Sequence, residues 1–251
     1  MHCIMRVGWS CALSAAFVLG GCASLGDDEP DFHGAESEPA LNASKADGNA
    51  TVGSYVTSTC TTSSVLGLSL QVAAEVACMA PGALAHFAPG DGISFSGGAV
   101  LPYLAAGAIA DLRVAARRAG RTIEVISGFR TVVQQYLLSR WHDLRRCSIP
   151  AAASPGRSNH ESGRAVDVGN WSLVKSSLER SGWAEDVPGD DAHFEHLSSP
   201  DIRGKDVRAF QRLWNRNHPH DRIVEDGLYG PQTASRIAAS PSGGFAIGAC
   251  R

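Results

Sequence analysis

Two short stretches, well apart along the chain, each set His beside acidic side chains in a metal-binding pattern, and a fold that uses both in one site must bring them together. The first runs Gly156-Arg157-Ser158-Asn159-His160-Glu161-Ser162-Gly163-Arg164-Ala165-Val166-Asp167, the second Asp190-Asp191-Ala192-His193-Phe194-Glu195-His196. Imidazole nitrogen and carboxylate oxygen are the donors of a catalytic zinc, which takes three protein ligands and keeps one position open. Two His and one Asp leave such a site a net single positive charge, enough to polarise a water and a substrate carbonyl. His160, Asp167 and His193 can converge if adjacent strands carry Asp167 and His193, with His160 on the loop before the first. Gly163 and Ala165 leave room for close packing there. The helix-borne HExxH motif is absent, because the position of its second His holds Arg164. On a strand His196 points away from His193, whereas Glu195 lies on its side. Glu195 can then orient a ligand or cap a neighbouring loop, and His196 reads as structural.

Around these stretches the pattern alternates between helix and strand. A helix is expected at residues 64–78 and a short strand at 92–96. The next helix, 102–119, carries the apolar stripe Leu104, Ala108, Leu112 and Ala115. A strand follows at 122–127, then a helix from Thr131 to about Arg145, and a small-residue loop at 151–159. A strand at 165–169, a helix at 171–181 and a strand at 193–197 complete this part. Trp171 and Trp183 read as packing residues. After Pro200, Val207, Phe210 and Trp214 form a helical stripe, a tight turn spans 226–231, and a short helix starts near Gln232.

Charge is uneven. Residues 23–50 carry seven acids against Lys45 alone, whereas the 18 acids from residue 51 onward meet 20 Lys or Arg. The near-neutral remainder offers no basic block of the kind nucleic acid requires. Residues 23–50, with almost no large apolar side chains, read as a disordered acidic tether. Residues 1–22 read as an export signal: Arg6, then an uncharged run too short to span a bilayer. The run ends in Leu19-Gly20-Gly21-Cys22, which resembles the lipobox of bacterial lipoproteins and implies lipidation of Cys22. A plain secretory signal cut near Ala23 is the alternative. The resemblance places the protein in the cell envelope on the periplasmic face, with the outer membrane favoured. Cys60, Cys78, Cys147 and Cys250 then remain as a disulfide framework in an oxidising compartment. Sequence proximity favours Cys60–Cys78 and Cys147–Cys250.

SxHxxGxAxD, read with a carboxylate three residues before His193, resembles the D-Ala-D-Ala metallopeptidases. That fold group includes lysostaphin-type enzymes and the hedgehog signalling domain. The resemblance covers roughly residues 55–198 and implies an α+β domain with a small antiparallel sheet flanked by helices. It implies Zn2+ held by His160, Asp167 and His193. Asp190 takes the place of the catalytic acid/base, which is Glu in the vancomycin-resistance dipeptidases and Asp in phage L-alanyl-D-glutamate peptidases. Ser127-Gly128-Phe129-Arg130-Thr131 with Gln135 is similar to the family's SGYRS…Q segment. It implies Arg130 at the substrate carbonyl or oxyanion, with Ser158 and Gln135 as substrate contacts. Residues 201–251 resemble a peptidoglycan-binding helical module. That resemblance implies wall binding; the alternative is a packing appendage, which a disulfide from Cys250 to the catalytic domain favours. The expected domains are therefore 1–22, 23–50, 51–200 and 201–251. The expected activity is a zinc D-alanyl-D-alanine carboxypeptidase acting on peptidoglycan stem peptides, as a monomer. An endopeptidase and a non-catalytic wall-binding lipoprotein are the alternatives.

Overall fold

The computed structural model describes residues 50–251. The expected signal peptide, the lipidation at Cys22 and all but the last residue of the acidic tether lie outside the described residues. The chain runs α1 (Tyr55–Ser58), α2 (Leu66–Met79), β1 (Ala85–His86), β2 (Ile93–Phe95), β3 (Tyr103–Leu104), α3 (Ala106–Ala119) and β4 (Ile123–Ser127). It continues through α4 (Val132–Asp143), β5 (Ala165–Val168), α5 (Trp171–Glu179), β6 (His193–Glu195), α6 (Lys205–Asn217) and α7 (Pro231–Ala239).

The main sheet has the order β2-β4-β5-β6, and β1 and β3 form a separate small ladder. β4, β5 and β6 are antiparallel neighbours, as expected for this α+β fold, while β2 joins the edge parallel to β4. A parallel neighbour needs a crossover rather than a hairpin, and α3 lies in that connection. One face of the sheet presents Ile123, Val125, Val166, Val168 and Phe194 to α3 and α5, where Leu112 and Leu178 complete a closed apolar layer. Of the stripe read from the sequence, Ala108, Leu112 and Ala115 are fully buried on α3, whereas Leu104 is buried on β3, because the helix expected from residue 102 begins only at Ala106. Trp183 is buried with this layer and Trp171 packs against it. The opposite face of β5 and β6 is left for polar side chains.

A second core lies between α2, α4, α6 and α7. Val72 and Val76 of α2 and Val133 and Leu137 of α4 meet Val207, Phe210 and Leu213 of α6, with Ile237 of α7. Residues 201–251 therefore share their core with the helices that precede the metal-seeking stretches.

The disulfides join Cys60 to Cys147 and Cys78 to Cys250, with Cα–Cα separations of 5.3 and 5.5 Å. This corrects the pairing expected from sequence proximity. Cys60 precedes α2 and Cys78 lies near its end, so a rigid helix of about 1.5 Å rise per residue holds them apart. The Cys78–Cys250 bond ties the last residues onto α2, the outcome that favours a packed appendage.

If the C-terminal helices belong to the common core, Phe210→Ala costs about 3–5 kcal/mol of global stability, as for a fully buried aromatic. Urea denaturation followed by near-UV circular dichroism checks this. A small separate transition, with the main one unmoved, is the result expected of an independent tail.

Candidate metal centre

The site is built on one cross-strand row. In β5 and β6 Asp167 lies opposite His193, and in β4 and β5 Ser127 lies opposite Asp167. Val125 pairs with Val168, so strict alternation along β4 would turn Ser127 toward the apolar core. A register shift between Val125 and Ser127 turns it to the polar face instead, the usual effect of a bulge beside a site. His160 arrives from a 3-10 helix, Asn159–Ser162, just before β5. Ser158 caps this turn, its Oγ accepting from the His160 amide at 3.3 Å. Glu161 accepts from the amides of Gly156 and Ser158 at 2.8 and 2.9 Å. Gly163 closes it at φ +73°, with Leu84 and Ile202 so near that a Cβ would collide with both.

His160, Asp167 and His193 come together as the sequence suggests, with one donor atom from each lying within 4.8 Å of the others. His160 Nε2 is 3.1 Å and His193 Nδ1 is 3.0 Å from the same oxygen, Asp167 Oδ1. The other nitrogen of His160, Nδ1, lies 2.9 Å from the Gly128 carbonyl. That oxygen can only accept, so Nδ1 carries the hydrogen and Nε2 presents its lone pair. Burial lowers the His160 pKa and the Arg130 charge adds to this, against the pull of Asp167. For His193 burial works the same way, but its hydrogen bond to Asp167 and the surrounding carboxylates raise its pKa overall. Burial opposes ionisation of Asp167, yet the two imidazoles and the Arg130 guanidinium beside it hold its pKa well below the usual range.

Arg130 extends from the β4–α4 turn. Its guanidinium donates to Gln135 Oε1 at 3.1 Å and Ser127 Oγ at 3.0 Å, and lies 3.8 Å from Asp167 Oδ2. Gln135 is buried and donates onward to the Ala153 carbonyl at 2.8 Å, so its amide braces both Arg130 and the cleft wall. Asp190 is exposed at a turn whose carbonyl accepts the His193 amide at 3.0 Å. Arg130, Gln135, Ser158, His160, Asp167, Asp190 and His193 all line one open cleft of about 600 Å³.

Some support was hidden in the sequence. Asn159 donates to Glu195, and Glu195 Oε1 lies 3.7 Å from His193 Nε2, a buried nitrogen with no hydrogen-bond partner of its own. Asp186, His193 and Glu195 form a second His–acid group. Glu195 approaches the Nε2 side of the same ring, and Asp186 is exposed. His196 faces away, with Asp111 at 2.9 Å and Ser199 at 2.8 Å.

Residues 100–197 match the VanY family model, D-alanyl-D-alanine carboxypeptidase. This segment is similar to the VanY family. Neither the curated proteins nor the solved structures gave a match. The matched segment begins just before β3 and ends just after β6, so it contains Ser127, Arg130 and the whole His–Asp–His group.

Support for the site also comes from beyond that segment. Asp206 of α6 is fully buried against Glu161, near the amides of Val132 and Val207. Two buried carboxyls side by side cannot both ionise at ordinary cost, so burial raises the Asp206 pKa to about 6 and lifts that of Glu161 well above the usual carboxylate value. A carboxyl whose pKa is raised by folding stabilises at low pH, and that contribution is lost as pH climbs through the folded value. Asp206→Asn removes one acid and supplies an amide donor to the other. In the wild type, stability should fall between about pH 4 and 7 relative to the variant, by on the order of 1–3 kcal/mol. Urea denaturation across that range checks it, and parallel pH profiles would contradict the shared-proton account.

Proposed function

We propose that this chain is a zinc-dependent D-alanyl-D-alanine carboxypeptidase that trims peptidoglycan stem peptides. We propose too that it is exported and held in the cell envelope by lipid on Cys22. The observation that carries the metal reading is the orientation of His160. Its Nε2 lone pair faces a carboxylate oxygen at 3.1 Å while Nδ1 is committed to Gly128. Protonation would relieve that repulsion, but burial and Arg130 oppose it. A cation held between these atoms removes the conflict, and two imidazoles with one carboxylate are a donor set that suits zinc. His160, Asp167 and His193 would hold the ion, which when bound supplies Lewis acidity toward the scissile carbonyl and makes a water more acidic.

The chain's own groups divide the remaining work. Arg130 is a fixed cation on the cleft wall, oriented by Ser127 and Gln135, and can neutralise charge developing on the carbonyl oxygen. Asp190 is exposed at the cleft and has no fixed side-chain partner among the described residues. Its carboxylate can accept a proton from the attacking water and return it to the leaving amine. Ser158 lines the same cleft and can bond the peptide backbone, while Glu195 places a negative charge beside the His193 ring. The VanY match over residues 100–197 supports D-alanyl-D-alanine as the bond cleaved.

Asp190→Ala is expected to lower kcat on a stem pentapeptide by about 10²–10⁴ and to leave metal content unchanged. His160→Ala should lose both activity and metal. Kinetics together with metal analysis by mass spectrometry check the two variants. Full activity in Asp190→Ala would show that another group moves the proton.

A further inference from the structure

One wall of the cleft is an unbroken run of the chain, Ser148-Ile149-Pro150-Ala151-Ala152-Ala153. Apart from the Ser148 hydroxyl its side chains are apolar, so it contributes shape and apolar contact rather than chemistry. It belongs to no helix or strand. Its fastenings lie near its two ends. The Ile149 carbonyl accepts from His142 Nδ1 at 3.2 Å, and the Ala153 carbonyl accepts from Gln135 Nε2 at 2.8 Å. Pro150, Ala151 and Ala152 between them make no hydrogen bond among the described residues.

The chain enters this wall through a left-handed stretch. Arg145, Cys147 and Ser148 have φ of +54°, +59° and +53°, and no glycine lies between Gly128 and Gly156. A positive φ crowds the Cβ against the backbone, so three such residues within four positions persist only where their surroundings hold them. Much of that hold comes from residues 55–60. Trp141 Nε1 donates to the Tyr55 carbonyl at 3.2 Å, and Arg146 Nη2 donates to the Thr57 carbonyl at 2.6 Å. The third tie is the Cys60–Cys147 bond, which grips the residue immediately before the wall.

We propose that the Cys60–Cys147 bond is a positioning element for the substrate: it fixes the 148–153 wall, and its loss weakens peptide binding while sparing the reacting groups. That the bound peptide is a wall stem rests on the reading above. The near end of the wall follows Cys147, whereas its far end stays on Gln135, which also holds Arg130. Opening the bond therefore frees the wall while His160, Asp167, His193 and Arg130 keep their supports. An interaction lost equally from ground and transition states raises KM and leaves kcat alone. The Cys78–Cys250 bond is a control within the same chain. It spans 172 residues against 87 and joins residues outside the cleft lining. On loop length alone, its removal costs at least as much stability.

The test compares Cys60→Ser with Cys147→Ser against Cys78→Ser with Cys250→Ser, each pair in the full chain. The first pair is expected to raise KM for a stem pentapeptide by about tenfold. Its kcat should stay within about threefold of the native value, with metal content unchanged. Amide hydrogen exchange should quicken across residues 148–153. The second pair should lower the melting temperature yet keep KM within about twofold, because neither residue lines the cleft. Pro150→Gly, which loosens the wall with both bonds kept, should also raise KM, and it decides the matter if the first pair does not fold. An unchanged KM in the first pair or in Pro150→Gly would overturn the proposal. So would an equal rise in KM in both pairs, or loss of metal and kcat in the first, since either marks a general loss of structure. If the native chain hydrolyses no pentapeptide, the carboxypeptidase reading fails, and the exchange comparison between the two pairs still decides whether the bond fixes the wall.

Discussion

The register of β5 against β6, with Asp167 opposite His193, sets the geometry on which the rest of the cleft depends. Cross-strand partners stand about 5 Å apart, a distance at which two side chains can share one ion. A slip of one residue would send Asp167 into the apolar layer now filled by Val166, Val168 and Phe194, which makes the register costly to change. Two local departures complete the site around that row. The irregularity in β4 turns Ser127 toward Arg130, and the capped 3-10 turn delivers His160 from the side with its ring fixed by Gly128.

The C-terminal helices hold this arrangement from below. Asp206 on α6 touches the carboxyl of Glu161, the residue that caps the His160 turn, and reaches toward the amide that begins α4. α4 in turn carries Gln135, which braces Arg130. The tail that reads as a separate module in sequence is thus part of the scaffold, fastened by Cys78–Cys250 and by the ion pairs of Glu75 with Arg212 and Arg216.

Much of this was legible in the residues. Period-two and period-3.6 patterns place β4, β5, β6, most of α3 and the α6 stripe, and motif spacing singles out His160, Asp167 and His193. What stayed hidden depends on tertiary contact. The parallel addition of β2 follows from how α3 crosses the sheet, and the β4 irregularity leaves no mark in composition. Asn159 and Asp206 are ordinary polar residues until folding sets them against Glu195 and Glu161. The cysteine pairing was misread because closeness in sequence ignored the rigid α2 between Cys60 and Cys78.

The central claim is that the His–Asp–His cleft removes the terminal D-alanine of a stem peptide. The most direct measurement is mass spectrometry of purified pentapeptide muropeptides incubated with the zinc-loaded chain. The account predicts loss of a single terminal alanine, abolished by chelation and restored by zinc. Cleavage inside the stem or the cross-link, or intact muropeptides with metal bound, would contradict it.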